Sequence, residues 1–139
     1  MLLIVKKSIT LFHYGKRQNT HACQNNKMDN KTIKYQKAIL NILNEYAKIK
    51  YANVQGENQV IADKDNNRFL IMTIGWQKNH FVHDCPMHFD IINDKVWVQT
   101  NMTEWNVGEM LEEQGVSKSD IVLGFLAPST RVYSDYAIA

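Results

Sequence analysis

Cysteine is scarce in this sequence, with two among 139 residues. Cys23 and Cys85 lie far apart, in stretches of different character, and form no CxxC pair. That argues against a disulfide scaffold or a zinc ribbon and favours a reducing compartment. Long hydrophobic runs are missing too, and nothing approaches the roughly 18 apolar residues that a bilayer-spanning helix needs. The opening Leu2-Leu3-Ile4-Val5 is cut off by Lys6 and Lys7. It is too short for a secretory signal, and its basic residues stand on the wrong side. A cytoplasmic location with no membrane contact is expected. Gly108, Gly115 and Gly124 form no phosphate loop, and no GxSxG, HExxH or Walker pattern occurs.

Acidic residues are absent from the first 27 positions, which carry Lys6, Lys7, Lys16, Arg17 and Lys27, a charge of +5. Of the 16 basic residues, 11 remain against all 14 acidic ones, so residues 28–139 carry −3 and the formal +2 of the whole chain misleads. A nucleic-acid binder usually shows a basic patch. Here the basic excess sits in the leader, so direct nucleic-acid contact by the rest is disfavoured.

Residues 8–27 are polar and lack apolar periodicity, the pattern of a loosely attached segment. A domain is expected over 28–139, with Met28 as the natural start and 1–27 as a non-domain leader. Asp29 or Asn30 can cap a helix over about 30–49. There Ile33, Tyr35, Ile39, Ile42, Leu43 and Tyr46 recur at three- and four-residue steps. The period then changes to two. Tyr51–Val54 reads as the beginning of an edge strand, Asn58–Ala62 as a strand, and Arg68–Trp76 as a central strand apolar on both faces. Residues 80–92 come next with an interruption at Pro86, then Lys95–Thr100. Short polar turns between them predict an antiparallel meander of four to five strands. Proline cannot donate to a ladder, so Pro86 marks a bulge or an unpaired position. Thr103 can cap a second helix over about 104–114, with Gly115 as its stop. Ser117 and Asp120 resemble a capping box. Ile121–Phe125 reads as extended, and the tail from Ser129 as irregular but anchored. The class is α+β.

The stretch from His80 to Asp90 holds His80, His83, Asp84, Cys85, His88 and Asp90, which invites a metal or small-ligand site centred on His83, Cys85, His88 and Asp90. Regular alternation places His83 and Cys85 with Phe81, Met87, Phe89 and Ile91, and His88 and Asp90 on the other side. The ligands are then split, unless a bulge at Pro86 exchanges the faces of the residues beyond it. His83 and Cys85 as base and nucleophile lack an oxyanion donor and a third orienting group, and a thiol among apolar neighbours is usually inert. Trp76, Trp97 and Trp105 could stack bases, but such platforms come with a positive groove. Glu109, Glu112 and Glu113 read as a solvated helix face. No catalytic residue, metal or cofactor is expected from these patterns.

From Met28 onward the sequence resembles the XisI family of excision controlling factors. The landmarks run in order: Leu43-Asn44-Glu45-Tyr46-Ala47, Glu57-Asn58-Gln59-Val60-Ile61, Ile74-Gly75-Trp76, Val82-His83-Asp84-Cys85, His88-Phe89-Asp90-Ile91, Lys95-Val96-Trp97-Val98-Gln99, Thr103-Glu104, Asp120-Ile121-Val122-Leu123-Gly124-Phe125 and Tyr136-Ala137-Ile138-Ala139. Phe81 stands where the family usually has Arg, and Asp84 where it has Gly. The resemblance implies an accessory, non-enzymatic role in excising a DNA element from a nitrogen-fixation gene during cyanobacterial heterocyst differentiation. It also implies a XisH-like partner of restriction-endonuclease-like fold and a dedicated recombinase that carries the chemistry. Self-association stays open. A metal- or ligand-binding domain and a direct DNA-binding regulator are the rival readings. Candidate contacts are Trp76, His83, His88, Asp90, Trp97, Gln99, Arg131 and Tyr133.

Overall fold

The computed structural model describes residues 29–139. The expected leader, the start at Met28 and Cys23 lie outside the described residues. Helix α1, Asn30–Ala47, begins where the Asp29 side chain accepts from the Lys31 N–H. Its buried stripe is Tyr35, Ala38, Ile39, Ile42, Leu43 and Tyr46, the three- and four-residue spacing of one helical face. Ile33, expected on that face, is exposed, because it falls in the row of Lys37 and Asn44, off the stripe. Gln36 is buried instead, and its amide donates to the Lys64 carbonyl at 3.0 Å and to Asn67 Oδ1 at 2.6 Å.

Tyr51–Val54 is a turn and not the start of a strand. The Val54 N–H bonds the Tyr51 carbonyl, and the Tyr51 hydroxyl meets that of Tyr46 at the end of α1. The sheet comprises β1 (Gln55–Asp63), β2 (Arg68–Gln77), β3 (His80–Ile92), β4 (Lys95–Asn101) and β5 (Ile121–Leu123), in that spatial order. The first four pair antiparallel as the meander requires. β5 pairs parallel with β4, since the chain crosses over through a helix before it returns. β3 occupies the middle and β2 is its neighbour, flanked on both sides.

Pairing between β2 and β3 jumps from Ile71 opposite Met87 to Thr73 opposite Asp84. Met72 therefore faces two residues, Cys85 and Pro86, which is a β-bulge. One extra residue exchanges the faces beyond it. Met87, Phe89 and Ile91 point to α1 and are buried, whereas Phe81 and His83 lie opposite Trp76 and Ile74 on the other face. The regular alternation that grouped His83 with Met87 and Phe89 is thus overturned. A second irregularity between His88 and Phe89 leaves Gln99 as the extra residue of β4.

Helix α2 is Val107–Glu113, three residues shorter at its start than expected. Thr103 Oγ1 accepts from the Trp105 N–H in a local turn, and Asn106 caps the helix by accepting from Glu109. Ser117 makes no side-chain cap, and Lys118–Asp120 is a single 3-10 turn. The tail includes a short helix, α3, at Pro128–Arg131, and Ala137 bridges Val122. The core unites α1, the inner face of the sheet, and Val107, Leu111 and Val116.

Asp120 ties β5 to α1. Its Oδ2 accepts from the Tyr35 hydroxyl at 2.5 Å and lies 3.0 Å from Lys31 Nζ. Burial alone would raise the Asp120 pKa, but the bonds from Tyr35 and Lys31 and the charges of Lys31 and Lys95 outweigh it and hold it below the ordinary value. A depressed carboxyl pKa gives stability that is present above the unfolded value of about 3.9 and is lost as pH falls through the folded one. Asp120→Asn is expected to cost about 1 kcal/mol at neutral pH. Urea titrations should show the gap from the parent closing below about pH 4. A gap that persists at pH 2 would remove the ionic part of this account.

Candidate functional site: the open face of the sheet

Helix α1 covers one face of the sheet. The register assembles the opposite face row by row: Ile61 beside Leu70 and His88, Gln59 beside Met72, Glu57 beside Ile74 and His83, and Gln55 beside Trp76 and Phe81. β2 reads apolar on both faces because its second face is this surface. Leu70, Met72 and Ile74 are half-buried. Trp76, Phe81 and Ile61 remain 52%, 48% and 47% exposed, large values for side chains whose burial stabilises by roughly 1.5–3 kcal/mol each. The Trp76 and Phe81 rings lie 5.0 Å apart at 53°, and Phe81 stacks on His83 at 6.2 Å and 20°.

The other end of the face is polar and tightly bonded. His88 Nε2 lies 3.1 Å from Asp90 Oδ1, and Gln99 Nε2 donates to Asp90 Oδ2 at 3.0 Å. Trp97 stands opposite Asp90, with the Arg131 guanidinium 5.1 Å above its ring. Arg131 also donates to the carbonyls of Leu126, Gly124 and Ile138. It clips the C-terminal tail over Trp97, so its hydrogen-bonding capacity is largely directed inward. Tyr133 is 88% exposed on that tail, and no hydrogen bond joins it to the others.

The structure thus gathers His88, Asp90, Trp97, Gln99 and Arg131 at one end of the open face and Trp76 and His83 at the other. Sequence reasoning missed Ile61, Leu70, Met72, Ile74 and Phe81 as parts of the same surface. The available signal was the apolar character of β2 on both faces.

A network of this kind fixes side-chain positions. The Cys85 thiol donates to the Met87 carbonyl at 3.4 Å, and burial raises its pKa, which makes it a poor nucleophile. Among the described residues, no three of His, Cys, Asp and Glu are grouped to hold a metal ion. Nor is any described helix long and apolar enough to cross a membrane.

A family model described as XisI protein matches residues 28–138. The chain belongs to the XisI family. A crystal structure of a XisI-like protein from Anabaena variabilis is 38% identical in sequence and superposes with a TM-score of 0.70, covering 78% of this chain and 99% of its own. The fdxN element excision controlling factor XisI from the same organism is 25% identical, with a TM-score of 0.68 and coverage of 79% and 100%. No curated protein matches the chain. The XisI-like architecture therefore holds as an α+β fold with a five-stranded mixed sheet.

Proposed function

We propose that this XisI-family chain is an accessory factor controlling excision of a DNA element. In this reading it acts in the cytoplasm by binding a separate XisH-like protein of nuclease fold through the open face of its sheet. Recombination chemistry belongs to another protein, and the working domain is residues 28–139. The observation that carries the reading is the contiguous apolar surface of Trp76, Phe81 and Ile61 over half-buried Leu70, Met72 and Ile74. Aromatic side chains exposed together on one sheet face mark an interaction surface, and buried aromatic anchors dominate interface energy. The name of the 25%-identical structure, an excision controlling factor, supports the controlling role. The acid excess of residues 28–139 favours a protein partner over bare DNA.

Co-purification with the XisH-like protein tests the reading. A complex is expected at micromolar concentration. Trp76→Ala with Phe81→Ala should weaken it by about thirtyfold or more, since a hot-spot residue contributes about 2 kcal/mol or more. Two folded proteins that form no complex, or a double variant that binds unchanged, would sink it.

A further inference from the structure

The opposite side of the β2–β3 hairpin carries a second feature. α1 ends at Ala47, before the hairpin does, and the bulge at Cys85 and Pro86 diverts β3 there. A cavity of about 400 Å³ remains between the end of the helix and the hairpin. Its apolar lining includes Val54, Val82, Pro86 and Met102, and its aromatic lining is Tyr46 and Tyr51. Burial, followed by the bond to Tyr51, pushes the Tyr46 hydroxyl above its ordinary range.

Among the described residues, Asp84 supplies the cavity's one carboxylate and His80 its one imidazole, and neither lysine nor arginine lines it. Asp84 stands at the end of a polar row across the sheet. Asn58 donates to the Ile49 carbonyl, Thr73 donates to Asn58, and Asp84 lies opposite Thr73. Asn58 and Thr73 are bonded within the row, while the Asp84 carboxylate has no hydrogen bond or ion pair among the described residues. A carboxylate at an apolar cavity flanked by two phenol rings is complementary to an organic cation. The carboxylate pairs with the positive charge, and the apolar wall takes an alkyl stem.

We propose that this cavity binds an alkylguanidinium or alkylammonium group, held by Asp84 against Tyr46 and Tyr51. The group is either a free small cation or the Arg or Lys side chain of a bound polypeptide. The proposal is independent of the open face, which lies on the other side of the sheet.

Titrating the isotope-labelled chain with propylguanidinium and following amide NMR shifts tests it. Saturable shifts are expected at Thr73, Gln77, Val82 and Asp84, with a Kd on the order of 1 mM for so small a ligand. The neutral isostere propylurea should bind at least about tenfold more weakly. Asp84→Asn, a change at an exposed site that leaves the core untouched, should weaken propylguanidinium by a similar factor. The tripeptide Gly-Arg-Gly separates the two sources. Tighter binding than propylguanidinium assigns the site to a polypeptide side chain, and equal or weaker binding assigns it to a free cation. No saturable shift at ten times the expected Kd, equal binding of propylurea, or unchanged binding by Asp84→Asn would each overturn the proposal.

Discussion

Replacing Phe89 with alanine is expected to lower stability by about 3–5 kcal/mol, and replacing Phe81 by less than about 1 kcal/mol. Both residues lie on β3, eight positions apart, an even spacing that would put them on one face of a regular strand. The bulge at Cys85 and Pro86 separates them. Phe89 has no exposed surface and packs in the core with Phe69 and Ile39. Its removal combines lost burial with a cavity that rigid neighbours close only in part. Phe81 is 48% exposed and, among the described residues, stacks only on Trp76 and His83. Urea denaturation of the two variants at equal m-value measures the contrast. Equal losses would mean that the faces are not exchanged at the bulge, and the open surface would lose its basis. The interaction assay should show the reverse order. Phe81→Ala is expected to weaken partner binding, and any loss with Phe89→Ala should track its unfolded fraction.

The sequence disclosed those parts of the fold that depend on local pattern. The α1 stripe comes from spacing alone, and the hairpins come from period-two runs joined by polar turns. Among the described residues, Lys78 is the one non-glycine residue of positive φ without a short amide or carboxylate side chain. Asn67, Asn93 and Asp94 take that conformation where such residues are favoured. The features that escaped depend on competition between nearby groups or on distant contacts. Thr103 and Asn106 are both good caps, and Thr103 was already engaged with Asn101. β5 is three residues long, and its parallel pairing is set by where α2 docks, which no local signal records.

The candidate site divides along the same line. Pro86 announced a bulge, but the bulge's effect on His83, His88 and Asp90 needs the register of β2 against β3. The resemblance to the family selected Trp76, His83, His88, Asp90, Trp97 and Gln99 without showing that they share a face. Only the shift from Ile71–Met87 to Thr73–Asp84 places His83 and His88 on the same side. Arg131 shows the opposite limit. The sequence names it only as a candidate contact, and three backbone carbonyls and the Trp97 ring engage it at the tail.

Gly75→Ala is expected to be among the most damaging single-methyl changes, at about 3 kcal/mol, the upper part of the overpacking range. Gly75 faces Gly56 across the β1–β2 pair. A Cβ built on Gly75 would come within 2.5 Å of the Gly56 Cα and within 2.9 Å of the Gln55 backbone carbon, and one built on Gly56 within 2.6 Å of the Gly75 Cα. These obstacles are backbone atoms, so relief requires the strands to part, and no rotamer change suffices. Gly108 offers the control. A Cβ there meets the Tyr136 ring, its Cζ at 2.6 Å, but that ring ends a side chain of the tail and can swing away. Gly108→Ala should therefore cost about 1 kcal/mol, mainly through the lost bond from the Tyr136 hydroxyl to Glu112. Thermal denaturation should place the Gly75→Ala midpoint well below that of Gly108→Ala. Gly56→Ala should match Gly75→Ala, because both changes push on the same pair of strands. Adding the second substitution to the first should cost less than the sum, since strands already parted have less left to lose.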